Sequence, residues 1–497
     1  MIALTTQPQI SRRLAALLVP FCLLLAGCAD MGGITPRANL TDPNKLAAGR
    51  DIQNASLSNA HWPTAKWWEA YKDSQLDALI DKATAGSPNL RLAAARIDEA
   101  KAMAGIVHSA GLPEVGAKVA FDRVRYSDQD FIPPPYAGTY TWTNSAFLSA
   151  SYDIDIWGKQ SRSESAALDY VHASEAEAQE AQLALQTLIV QAYVELALQF
   201  KLRDIEQRTL EQQQLIVEIA NRRRAIGLGT QLEVSQAEAP LPASQARMKQ
   251  IDERIDSLRH QLAALSGAGP GAGDAIDRPS LNPVERIALP SCLPADLIGR
   301  RPDVVANRWR VEASASGIAV AKTEFYPNIN LSALFGFQSL GFAGFLSNKS
   351  RMDGIDPAIS LPIFTGGKLR ANLGVQTARY DEAVERYNQS VADGMRGVAD
   401  QVSAWRSLEE QQQDTEHAVE LAQRSYDLAM RGFKSGLTEY IVVLNAQVNL
   451  LNQQQNDAKV HFGQLSAYAA LVRALGGGVD DASAPPAASI PHAIAKE

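Results

Sequence analysis

Three cysteines in 497 residues leave no disulfide framework to hold this chain together. Histidine is nearly as scarce. The 7 residues are scattered, with no HExxH pair and no Cys/His cluster, so the sequence offers no metal site, no catalytic set and no reason to expect a cofactor. Gly366-Gly367-Lys368 has the ending of a phosphate-binding loop, but Pro362 stands where the first glycine is needed and Leu369 where a Ser or Thr is needed. An excess of basic residues is missing too: the net charge of -8 gives no electrostatic footprint for nucleic acid. The apolar run near the start, Leu14 to Leu25, has 12 residues and is too short for a membrane-spanning helix.

That run follows Arg12-Arg13 and reads as a secretory signal over residues 1–27. It ends in Leu25-Ala26-Gly27-Cys28, which resembles the bacterial lipobox. The resemblance implies cleavage before Cys28 and acylation of that residue, palmitate included, followed by a lipidated arm over 28–66. Several acyl chains at about 0.8 kcal/mol per buried methylene make a stable anchor in membrane lipid. Ala29, in place of Asp, resembles the sorting signal for the outer membrane. With Cys22 lost in the signal and Cys28 acylated, Cys292 has no intramolecular partner and is expected to be a small buried residue.

The mature chain is duplicated. Pro88 and Pro113 recur at Pro302 and Pro327 with an offset of 214, while Gly158-Lys159, Gly227-Leu228 and Leu262 to Gly267 recur with an offset of 209. The 5 residues are lost where copy one carries the turn-rich Ile132 to Gly138, which marks an exposed loop. A first repeat is expected over 67–266, with short helices, a β-hairpin near 114–157, a long helix over 159–226 and a returning helix over 228–266. A joint over 267–293, Gly-rich and flexible by composition at Gly267 to Gly273, precedes the second repeat, 294–476. There the elements are a helix over 303–324, a hairpin near 327–364, a long helix over 368–431 and a returning helix over 437–475. The tail, 477–497, reads as disordered.

Both hairpins alternate with period two. Tyr140, Trp142, Ala146, Leu148, Ala150, Tyr152, Ile154 and Ile156 share one face, and Thr141, Thr143, Ser145, Ser149, Ser151, Asp153 and Asp155 the other. Val115, Ala117, Val119 and Phe121 repeat the apolar face, as do Ile329 to Phe337 and Ile355, Ile359, Leu361 and Ile363. A soluble sheet would give the same alternation. Strands of about 10 residues beside an outer-membrane anchor favour a membrane sheet instead. Four strands cannot close, and an open edge in lipid is costly. Two chains would give about 8 strands with a filled interior, and three would give 12 with room for a lumen, so a homotrimer is expected.

Lys159 to Ile226 contains neither Gly nor Pro, and Lys368 to Arg431 no Pro, or about 100 Å of helix in each case. Ile441, Leu444, Val448 and Leu451 are spaced as in a coiled coil. A fibrous scaffold remains open on the helices alone; the strands favour a periplasmic tunnel. Pro240 and Pro242 should kink the first returning helix.

Leu293 to Asp303, with its Arg300-Arg301-Pro302-Asp303, resembles the TolC-like outer-membrane efflux proteins, in particular their NodT-like lipoprotein branch. Trp67-Trp68, Phe325-Tyr326-Pro327, Leu361 to Phe364 and Leu437 to Gln447 carry the same resemblance. It implies a mainly α chain with membrane β: a shared 12-stranded transmembrane barrel continuous with a long periplasmic helical barrel, built as a trimer. The duct would dock on a periplasmic adaptor fed by an inner-membrane transporter and export drugs or other small molecules. The resemblance puts adaptor-contacting tips at Gly227, Leu228, Gly229, Thr230, Arg431, Lys434, Gly436, Leu437 and Thr438. Their positive surroundings could equally do no more than solvate two turns. It puts a periplasmic gate at Ile441, Val442 and Asn445, where Asn445 stands in place of the family's usual Asp; an interhelical hydrogen bond is the alternative role for that amide. A porin, a protein-secretion duct and a lipid-anchored coiled-coil scaffold are the competing functions.

Overall fold

A computed structural model describes residues 31–42, 46, 57–58, 63–129, 131–284, 289–290 and 299–478. The signal, Cys28, Cys292, the stretch 293–298 and the tail from 479 onward lie outside the described residues. The chain divides into two compact units.

The first unit draws on residues up to 40, 97–174 and 307–387. Its centre is one antiparallel sheet in the order β2-β3-β5-β6, made of β2 (Glu114–Arg125), β3 (Tyr140–Ile154), β5 (Asn328–Leu340) and β6 (Arg351–Ser360). The other two strands, β1 (Leu57–Ser58) and β4 (Leu289–Pro290), form a short parallel pair in the second unit. Four helices meet one end of the main sheet: α2 (Pro88–Ser109) and α6 (Pro302–Thr323) lead into β2 and β5, and α3 (Lys159–Ala225) and α7 (Lys368–Lys434) leave β3 and β6. Lys159 of α3 pairs with Glu324 at 3.7 Å, and Asn372 of α7 donates to the same carboxylate at 2.9 Å.

Three expected boundaries move, each for a local reason. Asp155 and Ile156 are not part of β3, because the Asp155 carboxylate turns to cap α3, accepting from Gln160 N at 3.1 Å and Ser161 N at 2.9 Å. Leu361 and Ile363 fall beyond β6, where Pro362 has no N–H to continue a ladder and Gly366 and Gly367 turn the chain at φ of 59° and 88°. Arg431 and Lys434 lie within α7, which runs on to Lys434 before Gly436 closes it at φ 75°.

The second unit holds the rest of α3 and α7, with α1 (Ser74–Gly86), α4 (Gln231–Glu238), α5 (Pro240–Leu265) and α8 (Tyr440–Ala474). The helix expected over 228–266 is two helices. Thr230 Oγ1 caps α4 by accepting from Glu233 N at 3.2 Å, and Ala239 keeps right-handed angles (φ -56°, ψ -36°) where Pro240 interrupts the ladder. Its counterpart α8 is unbroken.

Trp67, Trp68, Tyr71, Leu76 and Ile80 pack against Leu185, Ile189, Tyr193 and Leu196 of α3, Leu258 and Leu262 of α5, and Leu465, Tyr468 and Val472 of α8. Each such large side chain contributes on the order of 1.5–3 kcal/mol by burial. The stretch of α3 apolar enough to cross a membrane by length and composition is 61% buried in the protein, which explains its hydropathy as core. The Gly-rich joint is not free chain. Ser280 N donates to Asp73 Oδ2 at 2.8 Å, Asp277 N to Gln75 Oε1 at 2.9 Å and Asn282 N to the Tyr71 carbonyl at 3.1 Å. Asp73 also caps α1 and accepts from Tyr193 OH at 2.9 Å; burial raises the Tyr193 phenol well above its ordinary pKa.

Candidate channel surfaces

The strand register sorts the sheet into two faces. Val115, Ala117, Val119 and Phe121 stand opposite Ala150, Leu148, Ala146 and Asn144, which in turn stand opposite Ala333, Phe335, Phe337 and Ser339. Ile329, Leu331 and Ala333 then meet Ile359, Pro357 and Ile355. One face is therefore apolar across most of its rows, and it is exposed: Val115, Val119, Ile355 and Ile359 are each more than 60% accessible, while Asp353 and Arg351 stand on it opposite Phe335 and Phe337 near the start of β6. The other face carries Gly116, Ser149, Ser151, Asp153, Asn330, Ser332 and Asp356 in the same rows. Asn330 Nδ2 donates to Asp153 Oδ1 at 2.7 Å and Ser332 Oγ to Asn330 Oδ1 at 2.8 Å, a hydrated pattern on the polar side.

Alternation alone misplaces two residues. Asn144 lies on the apolar face, fully buried, with its Nδ2 donating to the Gly341 carbonyl at 2.8 Å. An aromatic group surrounds that end: Phe342 sits 5.8 Å from Phe121 and 5.6 Å from Trp142, and Phe345 sits 5.8 Å from Phe121. Phe147 is the converse case, an aromatic ring on the polar face opposite Lys118. At the helix end, Trp157 stacks on Tyr326 at 4.9 Å and its indole N–H donates to the Pro327 carbonyl at 2.7 Å. Aromatic rings at both ends of an apolar band are the arrangement favoured at the two bilayer interfaces. Each outer strand, β2 and β6, pairs on one side only among the described residues.

The helical turns form a second surface, in the other unit. Gly227 and Gly436 turn the chain at φ of 76° and 75°, while Leu228 N and Leu437 N close the turns on the Arg223 and Gly432 carbonyls. Beneath them Ile216, Ala220, Val234, Tyr426, Met430, Phe433, Tyr440 and Val443 are buried. Gly229 is close-packed, since a Cβ there would stand 3.1 Å from Arg224 N. Thr438 Oγ1 donates to the Ala429 carbonyl at 3.4 Å. The basic residues are largely occupied: Arg222 pairs with Glu218, Arg224 with Gln231, Arg431 Nε donates to the Asp427 carbonyl, and Arg223 lies over the Phe433 ring at 5.1 Å while donating to the Leu228 carbonyl. Two of the expected tip residues protrude as apolar side chains beside these cations, with Leu228 67% and Leu437 82% exposed, and each follows the turn glycine of its repeat.

Ile441, Val442, Asn445 and Val448 are all exposed on α8 and lie at i, i+1, i+4 and i+7, a single helix face. The neighbouring Val443 and Gln447 point the other way and are buried. Among the described residues no group of three His, Cys, Asp or Glu is placed to hold a metal.

A family model described as outer membrane efflux protein matches residues 79–268 and again residues 293–477, once in each repeat. The chain belongs to the outer membrane efflux protein family. This efflux protein is 45% identical to the fusaric acid resistance protein FusA of Burkholderia cepacia over 378 residues, 75% of this chain and 70% of that one. It is 29% identical to the multidrug resistance outer membrane protein MdtP of Escherichia coli K12 over 483 residues, 95% of this chain and 97% of that one. Among solved structures, the outer membrane protein VceC of Vibrio cholerae superposes with a TM-score of 0.80 at 34% identity, covering 84% of this chain and 100% of its own. The fold and family are those of channel proteins rather than enzymes, and the efflux protein is an outer-membrane channel.

Proposed function

We propose that three copies of this chain close one twelve-stranded barrel in the outer membrane, continuous with a helical barrel in the periplasm, and that the assembly is the exit duct of a tripartite pump for drugs or other small molecules. The observation that carries the proposal is the sheet: four antiparallel strands, one face apolar over most of its rows, and two outer strands each with a side unpaired among the described residues. In hydrocarbon every backbone group needs a partner, so these edges must meet other copies. β2 and β6 point in opposite directions, so joining them across copies continues the antiparallel alternation.

The apolar face would meet lipid and the Ser, Thr, Asn and Asp face would line water. Cys28, acylated, would hold the chain to the inner leaflet. The tips at Gly227–Thr230 and at Arg431, Lys434 and Gly436–Thr438 would engage a periplasmic adaptor through their protruding leucines. Ile441, Val442 and Asn445 would line the closed end of the duct. Resistance to fusaric acid and to multiple drugs in the relatives supports small molecules, rather than proteins, as the cargo.

Native mass measurement in detergent, followed by planar-bilayer recording, tests the assembly. Three copies and a conducting pore are expected. A monomer that conducts by itself would show that the four strands close without partners.

A further inference from the structure

Between the two apolar cores of the second unit, the buried side chains change character. On α3 the first core ends near Leu196 and the other begins at Ile216. In the interval α3 buries Glu206, Thr209 and Gln213, with Ile205 the apolar exception; α5 buries Ser244 and α7 Thr415, while α8 buries Ala458 and Val460 there and Gln447 at the edge of the tip core, between Val443 and Leu450. At 1.5 Å per residue from the turns at Gly227 and Gly436, Glu206, Arg247, Thr415 and Asp457 all lie about 30 Å along their helices, with Gln213 and Gln447 about 15–20 Å along theirs.

The bonds in this layer join the helices but do not satisfy it. Arg247 Nε donates to Glu206 Oε1 at 3.0 Å and its Nη2 to Ser244 Oγ at 2.8 Å. Gln447 Nε2 reaches Gln212 Oε1 at 3.3 Å and the Thr209 carbonyl at 3.4 Å, and Thr415 Oγ1 donates to Asp457 Oδ1 at 3.2 Å. Glu206 Oε2, Gln213 Oε1, Gln412 Oε1 and Gln447 Oε1 remain buried without a partner among the described residues. A half-satisfied polar layer gains little from exclusion of water, and its desolvated oxygens acquire hydrogen bonds once water enters. The apolar cores on either side lose burial when their helices part. Separation is therefore least costly here.

We propose that this layer is the pivot at which α3, α5, α7 and α8 loosen when the tip end of the duct opens. The inference rests on the duct function proposed above and adds a place where opening begins. It predicts a soft band between two firm ones, and it predicts that making the band apolar hinders opening.

Hydrogen exchange on the full-length protein in detergent reads the first point without requiring conduction. Amides of 205–213 should exchange roughly tenfold or more faster than those of 185–196 and of 216–220. Gln213→Met, nearly equal in length and apolar, should slow that band toward its flanks and make single-channel openings several-fold rarer. Gln447→Met is the second variant if the first fails to fold. Exchange in the band no faster than in its flanks overturns the pivot, as does slowed exchange with unchanged openings. A parent protein that never conducts would instead sink the duct function, while its exchange profile still decides whether the band is soft.

Discussion

The guanidinium of Arg301 lies against Gly394, so closely that a Cβ on that glycine would stand 3.1 Å from Arg301 Nε. Across this contact Arg301 grips Asp303 with two nitrogens, at 3.1 and 2.7 Å, and donates to the Ala474 carbonyl at 2.8 Å. One side chain thus joins the starts of α6 and the end of α8 over a helix that lacks a side chain at the crossing. Gly394→Val should displace the fork, and Arg301→Ala should remove both hydrogen bonds to Asp303 and the one to the Ala474 carbonyl; each should cost about 1–2 kcal/mol. Arg301→Lys should not restore the melting temperature, because an ammonium cannot hold both carboxylate oxygens in one plane. Full recovery with Lys would show that charge alone matters there.

A second expectation concerns acid. Burial first, and Glu312 second, raise the Asp169 carboxyl to about 6, with His172 opposing them. The native state then holds a proton that the unfolded chain has released, from about pH 4 to about pH 6, so this group makes stability fall as pH rises through that window. Asp169→Asn should flatten this part of the profile and raise stability at pH 7. Urea midpoints for both proteins at pH 4.5 and pH 7 decide it; parallel shifts in the two would sink the assignment.

The proposed gate makes a third. Asn445→Asp would bring like charges together in a narrow ring if copies of α8 meet there, favouring cation entry. Ile441→Ser would open an apolar collar and raise leak. Reversal potential and conductance in planar bilayers read the two variants separately. No change in either would mean that the exposed face of α8 packs on another helix rather than facing the lumen.

The fourth follows from the N-terminal strap. Arg37 N and Ala38 N both donate to Asp381 Oδ1 at 3.0 Å, and Thr41 N donates to Asn388 Oδ1 at 2.8 Å, while Met31 and Ile34 pack near Leu369 and Leu373. Met31 is three positions from Cys28, the residue proposed to carry the lipid. Cys28→Ser should abolish labelling by a fatty-acid probe. Asp381→Ala should leave labelling intact while exposing 31–42 to protease; protection equal to the parent would show that the two backbone donors do not hold the strap.

Periodicity made the strands and long helices legible, because a two-residue or seven-residue repeat survives whatever packs on it. The duplication was legible from turn glycines and prolines, whose backbone needs persist in both copies. Other features depend on contacts between distant residues and leave no local trace. Asn144 on the apolar face donates its Nδ2 to a carbonyl nearly two hundred positions away, and Asp155 leaves its strand because a helix start needs a cap. The Gly-rich joint looked free because its anchors, Asp73 and Gln75, belong to another element. At the tips the sequence marked both leucines and the cations, but not that most of the cations are already engaged by neighbours.

Pro240 sets the two repeats apart, since the returning helix of the first is interrupted at Ala239 while that of the second is one helix, α8. A ring of three such chains would present six hairpins that alternate in shape, so its symmetry at the tips is threefold and only imitates sixfold. Any partner that docks as six identical subunits must then occupy two unlike seats in turn. Its register on the ring would be set by an interruption in one helix rather than by any single contact.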